Sequence, residues 1–412
     1  MVRCDVVFLL VAVLERAHAG DAGPPAAGVA PDEDYSDAFL DSYQLIEKYG
    51  FRAERHRAVT RDGYELTLFR ARGAGAGGAG DAGDAGAPPV LLLHGVSDSS
   101  DCWLLLGRRS LALRLAAAGR DVWLLNARGN RYSRGHARRP PPPPRDYWDF
   151  SFEEVGTEDL AAAVDLVLAA TRRPRLHYVG FSQGTTAFLA LCSLRPEYNE
   201  RVARAVLLAP VAWMTGVDYP YAPLLAPHLP ALGRALDALG VHELFPWNPA
   251  MNALHAGACR EGRASKALCD LEYLAFFGVR SPRAVARLAV VAAHVPAGAS
   301  RGAFEHYLQV YAADRFLRRD RGRAGNLARY GRVAPPDYEL GRVAAPVVLL
   351  GSADDWFSSA PALRRLQAAL PRVDRALVFN QSLHFTHLEF VYGARVHLVN
   401  DVVLEELGAA DV

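Results

Sequence analysis

From about residue 90 onward the chain alternates between short, unbroken apolar runs and longer stretches with helical spacing. The runs "PPVLLLHG", "RDVWLLNARG", "RLHYVGFS", "RAVLLAPV", "APVVLLGSADD" and "RALVFNQS" are rich in Val and Leu and lack polar alternation, which is the pattern of strands covered on both faces. Between the early ones stand "RRSLALRLAAAG", "FEEVGTEDLAAAVDLVLAA" and "GTTAFLALCSL", each of helical length. Buried strands separated by helices predict a mostly parallel sheet with helices on both faces, a doubly wound α/β fold.

Other stretches depart from this alternation. Near the start, "DAFLDSYQLIEKYGF" has helical spacing, and "HRAVTRDGYELTLFRA" sets two β-rich runs around Asp62-Gly63, a hairpin signal. Residues 73–89, "GAGAGGAGDAGDAGAPP", form a low-complexity loop with nothing to bury. Pro140 to Pro144 make a short stiff connection. The largest departure is the span 212–341, helical in character and holding "YPYAPLLAPHLP", which separates the strand "RAVLLAPV" from the strand "APVVLLGSADD". An insertion at a strand's C-terminal end sits where α/β sheets bind ligands, so it is expected to cap the site. The core is then split into 20–211 and 342–412.

Charge and cysteines narrow the setting. With 46 basic against 45 acidic residues the net charge is +1, so no global field draws the chain to nucleic acid or to an anionic membrane, and no nucleic-acid partner is expected. The N-terminal "MVRCDVVFLLVAVLERAHAG" carries Arg3, an apolar run from Val6 to Leu14 and Ala17-His18-Ala19 as a small-x-small cleavage site, the pattern of a secretory signal over 1–19. That run is too short to span a bilayer and nothing later approaches the needed length, so no transmembrane helix is expected. Cys4 would leave with the signal. In an oxidising compartment the close pair Cys259 and Cys269 is the expected disulfide, and Cys192 the expected buried thiol. "NQS" at Asn380 is the chain's glycosylation sequon and would need to be exposed.

Candidate chemistry centres on Gly180-Phe181-Ser182-Gln183-Gly184, a G-x-S-x-G between the strand "LHYVG" and the helix "GTTAFLALCSL". That context holds a serine exposed on a sharp strand-to-helix turn. A serine hydroxyl needs a base to take its proton and a carboxylate to orient that base. Just past later strands stand Asp354 and Asp355, then His384 and His387. A tetrahedral oxyanion also needs two backbone donors, read here as the amides of Gln183 and of Val96 in His94-Gly95-Val96. His94 is read as structural, since another histidine follows the acid. The basic "NARGNRYSRGH" is read as a loop packing near the turn and not as an anion site.

These motifs together resemble the acid lipase family of α/β-hydrolases, which includes gastric lipase, lysosomal acid lipase and many insect lipases. The likeness runs from about Tyr43 to Val403 through "HGVSDSSDCW", "DVWLLNARGNRYSRGH", "YWDFSFEEVGTEDLAAAVD", "LHYVGFSQGTT", "HVPAGASRGAFEHYLQVY", "APVVLLGSADDWFS" and "HLEFVYG". The resemblance implies hydrolysis of lipid esters, triacylglycerols or sterol esters, at a lipid-water interface by secreted or lysosomal enzymes that use no cofactor and no metal. It matches Ser182 to the family nucleophile, His387 to the histidine of its HLDF motif and Asp355 to its acid. It also implies a lid within the insertion and, in some members, a disulfide like Cys259–Cys269. Departures are Phe181 where the family commonly has histidine, "HLEF" for HLDF, and a slightly longer spacer from Asp355 to His387, all bearing on substrate preference and pH optimum. The rival readings are an esterase of soluble or retinyl esters, and a lipid carrier that kept the fold without catalysis. Nothing in the sequence sets the oligomeric state.

Overall fold

Alternate residues of each central strand enter two different hydrophobic layers, and this is the organising feature of the fold in a computed structural model. Val90, Leu92, Leu124, Val179, Leu208 and Leu350 face one layer, while Leu91, Leu93, Trp123, Tyr178, Leu207 and Leu349 face the other. A strand's side chains alternate between faces, so an unbroken Val/Leu run is what a sheet covered twice requires. Residues 34–73 and 86–408, apart from 215, 218, 280, 282 and 283, are described; the expected signal segment 1–19, Cys4 and most of the glycine-rich loop lie outside them.

Among the described residues the strands are β1 (Phe51–Val59), β2 (Tyr64–Gly73), β3 (Val90–Leu93), β4 (Val122–Leu125), β5 (Gly135–His136), β6 (Leu176–Phe181), β7 (Val202–Leu208), β8 (Glu243–Leu244), β9 (Ala299–Ser300), β10 (Val347–Ser352) and β11 (Val373–Phe379). The main sheet has the order β1-β2-β4-β3-β6-β7-β10-β11, with β5 paired to β2. The hairpin β1–β2 forms at Asp62-Gly63 as expected, and it joins β4 in antiparallel fashion. From β4 through β3, β6, β7 and β10 to β11 every pairing is parallel. The C-terminal ends of these strands therefore lie along one edge, where their following loops can meet.

Two details differ from the sequence reading. β11 was expected to be covered like its neighbours, yet most of its residues are partly exposed and Val378 is open to solvent. It is the last strand of the order, with only β10 beside it. The stretch after Ser151 is helical, but Val155–Leu160 winds as a π-helix before the α-helix Ala161–Thr171.

The insertion between β7 and β10 contains the helices Leu229–Ala238, Pro249–Ala258, Lys266–Phe277, Leu288–His294, Arg301–Ala313 and Gly322–Tyr330, with β8 and β9 paired across it. Insertion and sheet belong to one unit, Tyr35–Val412. Cys259 and Cys269 form the expected disulfide, linking two of these helices, and Cys102 and Cys192 are free and buried. Asn380 is exposed at the end of β11. Among the described residues no helix is long and apolar enough to cross a membrane.

Candidate active site

Ser182 stands where β6 ends and the helix Gln183–Leu194 begins, with φ 51° and ψ −114°. That conformation is strained for a residue with a side chain, and the surroundings hold it. The Ser182 amide donates to the Leu208 carbonyl at 3.0 Å, and the Ser182 carbonyl accepts from the Thr185 amide at 2.9 Å. Gly184 lets the helix press onto the neighbouring strand, since a Cβ there would lie 2.4 Å from the Leu93 carbonyl oxygen. The turn thus raises the hydroxyl at the strand edge because two elements pack more closely than any larger residue would allow.

The histidine and carboxylate reach the hydroxyl from two other strands. His387 Nε2 lies 2.9 Å from Ser182 Oγ, and His387 Nδ1 lies 2.8 Å and 3.0 Å from the two oxygens of Asp355. Asp355 follows β10 and also accepts the Phe357 and Ser358 amides at 2.8 Å and 3.1 Å. Those bonds fix the carboxylate, and the carboxylate fixes the imidazole so that its second nitrogen faces the hydroxyl. Asp354 points elsewhere, with its oxygen 3.2 Å from Nδ1 of the exposed His384. Of the two aspartates and two histidines that the sequence offered, only Asp355 and His387 meet Ser182.

His387 sits on a turn whose scaffold the sequence reading missed. Glu389 is fully buried and accepts the Thr386 amide at 2.7 Å, while Arg395 pairs with its other oxygen at 2.8 Å. The acidic position of "HLEF" was the available signal. Phe181 is buried with its ring centroid 5.0 Å from that of His387, and Phe357 approaches the same imidazole at 4.8 Å. The residue that departs from the family pattern therefore forms one wall around the base.

The loop after β3 brings Val96 toward the same edge. Among the described residues no hydrogen bond occupies the amide of Val96 or of Gln183. His94 serves this loop as structure, as read from sequence: its Nδ1 bonds the Gly95 carbonyl at 2.7 Å, and its Nε2 lies 3.2 Å from both the Ala127 amide and Asn130 Nδ2. Burial pushes its pKa down to about 4, so the ring is neutral and its Nε2 is an acceptor. The basic loop "NARGNRYSRGH" is likewise internal: Arg128 is buried against Asp159 and Asp62, and Arg131 pairs with Asp101. Paired cations of this kind leave no anion site.

The assembled groups are enclosed. Ser182 is 7% exposed, His387 5% and Asp355 3%. The insertion supplies part of the cover: Tyr219 lies 4.8 Å from Phe357, and the Ala297 amide donates to the Ser97 carbonyl at 2.7 Å. A nucleophile, base and orienting acid with two open amide donors is an arrangement suited to acyl transfer.

Comparison with known proteins matches the same regions. A family model described as the alpha/beta hydrolase fold covers residues 88–391, and one described as a partial alpha/beta-hydrolase lipase region covers residues 42–107. Lipase 3 of Drosophila melanogaster is 35% identical over 372 residues, spanning 89% of this chain and 92% of the relative. Lipase 1 of the same organism is 34% identical over 87% of this chain and 77% of the relative. Gastric triacylglycerol lipase of Bos taurus is 30% identical over 89% of this chain and 91% of the relative.

Proposed function

The chain belongs to the α/β-hydrolase fold family, among its lipases, and from that premise we propose that it hydrolyses carboxylic esters of lipids with Ser182, His387 and Asp355 as its triad. The observation that carries this reading is the continuous relay from Asp355 through His387 to Ser182 Oγ, with contacts of 2.8 Å and 2.9 Å, drawn from the ends of three strands.

Ser182 Oγ attacks the ester carbonyl while His387 Nε2 takes its proton, and Asp355 holds the imidazolium in register. The negative oxygen of the tetrahedral intermediate is received by the amides of Val96 and Gln183, each donor contributing about 3 kcal/mol in comparable hydrolases. His387 then passes the proton to the departing alcohol oxygen as the C–O bond breaks, leaving Ser182 acylated. Water, deprotonated by the same imidazole, attacks the acyl-enzyme and frees the fatty acid and the serine.

Residues 212–341 act as a cap on this reading, and the low exposure of Ser182 requires it to yield before a long acyl chain can enter. A lipid-water interface is the setting in which such a cover would open, and triacylglycerols or sterol esters are the proposed substrates. Passage through a secretory route to the outside or to the lysosome is supported by the disulfide Cys259–Cys269 and by the exposed sequon at Asn380. No cofactor enters the scheme.

The test is turnover of triacylglycerol emulsions, sterol ester emulsions and a soluble short-chain ester by the wild type and by Ser182→Ala. Emulsion substrates are expected to be preferred, and the variant to lose roughly 10³-fold or more in kcat. Unchanged turnover in Ser182→Ala, or a wild type that leaves every ester intact and is not labelled by a serine-directed phosphonate, would refute the reading.

A further inference from the structure

Asp98 lies two residues beyond Val96 and is buried, and the mechanism above gives it no role. Its carboxyl accepts the Ser99 amide at 2.7 Å, and the Tyr392 hydroxyl lies 2.9 Å and 2.8 Å from its two oxygens. Tyr392 is also buried and closes the short helix Glu389–Tyr392, which follows directly from the His387 turn. One contact therefore joins two segments distant in sequence, the loop with the Val96 amide and the turn with His387.

The loop needs such a tether. Ser97, between Val96 and Asp98, has φ 57°, a left-handed conformation that a serine adopts at a cost of order 1–3 kcal/mol and keeps only when its neighbours hold it. Its carbonyl is held by the Ala297 amide of the insertion, and the Tyr392 carbonyl by the Ala286 amide at 2.8 Å. The Asp98–Tyr392 contact closes this ring.

Burial, and not hydrogen bonding, favours a neutral carboxyl group here. Asp98 accepts from the Ser99 amide and the Tyr392 phenol, donors that by themselves favour the carboxylate, but it is buried and among the described residues no cation bonds it. The titratable groups that face it are Tyr392, Tyr273 from the insertion, and Asp101 and Cys102 on its own segment. None of these supplies positive charge.

We propose that Asp98 is a positioning residue of the oxyanion hole, tying the Val96 loop to the His387 segment through Tyr392. Burial, with a smaller contribution from Asp101, pushes its pKa up to about 7 against the opposing Ser99 and Tyr392 bonds. In the unfolded chain the group titrates near the ordinary aspartate value, so the folded state keeps this proton over a window in which the unfolded state has lost it. The contribution to stability is complete below about pH 4 and is lost as pH rises through about 7. Above that, the cost of a buried carboxylate with no cation beside it, only partly offset by its two hydrogen bonds, favours opening of the loop that presents Val96.

The proposal rests on the assignment of Val96 as an oxyanion donor, and the experiment separates the two. Wild type and Asp98→Asn, which keeps the hydrogen-bonding shape without the charge, are compared from pH 5 to 9 on a soluble short-chain ester and by thermal unfolding. The ratio of variant to wild-type kcat is expected to rise toward tenfold between about pH 6 and 8, with KM unmoved, because a group of pKa near 7 loses about nine-tenths of its protons over that interval. The wild-type unfolding temperature is expected to fall over the same window more steeply than that of Asp98→Asn. Parallel pH profiles and parallel unfolding slopes would overturn the proposal. If Asp98→Asn does not fold, Tyr392→Phe decides: a lower kcat with an alkaline limb shifted to higher pH supports the tether, and a wild-type profile ends it. If no protein hydrolyses any ester but the unfolding slopes still differ, the assigned function fails and the titration of Asp98 stands.

Discussion

Neighbouring residues of the same type have opposite fates here, and Asp354 and Asp355 show it most plainly. Asp355 is held by two backbone amides and by His387, whereas Asp354 faces the exposed His384. Asp355→Asn is expected to lower kcat by about 10⁴-fold, since an amide beside Nδ1 favours the wrong tautomer. Asp354→Asn is expected to change kcat by less than about tenfold, because a partly solvated pair contributes little. Steady-state assays of both variants on one soluble ester check this, and equal losses would mean that the two carboxylates share the role. The sequence alone left both aspartates and both histidines open, because adjacent residues on a turn point in different directions and only tertiary packing selects one. Phe181 is a second case. Its departure from the family pattern was visible in the sequence, but its contact with the His387 ring was not. Phe181→His would put a second imidazole against the base, and the acid limb of the kcat profile is expected to move by half a unit or more, about the scale on which nearby ionisable groups shift one another.

At the level of elements, legibility followed burial. β3, β4 and β10 are covered at every position, and their Val/Leu runs announced them. β11 has a similar apolar run and was taken for another covered strand, but an edge position is a property of the assembled sheet and leaves no mark on the strand itself. The link between Asp98 and Tyr392 was illegible for a related reason, since nearly the whole fold separates its two ends in sequence. The disulfide was legible because its cysteines are only 10 residues apart. That short loop also bounds its worth: closing it removes about 3 kcal/mol of chain entropy from the unfolded state. The double substitution Cys259→Ser with Cys269→Ser is therefore expected to loosen the helices Pro249–Ala258 and Lys266–Phe277 before the sheet. Limited proteolysis should cut first within these helices while hydrogen exchange in β3 and β6 stays protected. Simultaneous loss of protection in the sheet would show instead that the insertion and core unfold as one cooperative unit.

For the molecule as a whole, near-neutral charge and a covered Ser182 have to be reconciled with the proposed substrate, which forms its own phase. With 46 basic and 45 acidic residues, long-range attraction cannot concentrate the enzyme at a charged surface. The insertion, however, exposes Leu224, Leu239, Met251, Leu254 and Leu268, large apolar side chains on the part of the chain that covers Ser182. If these residues meet the lipid, adsorption is driven by apolar burial, each side chain contributing of order 1–3 kcal/mol, and not by counter-charge. Binding to an uncharged triacylglycerol emulsion, measured by flotation, is then expected to change by less than about twofold between roughly 0.05 and 0.3 M salt, since screening acts on charges and not on apolar contact. Replacing Leu254 and Leu268 together with Ser should weaken flotation by about tenfold or more while leaving kcat on a soluble ester within about twofold, because neither residue touches the triad. A steep fall with salt, or flotation indifferent to both substitutions, would place the contact with lipid elsewhere on the surface and leave the opening of the cap to another cause.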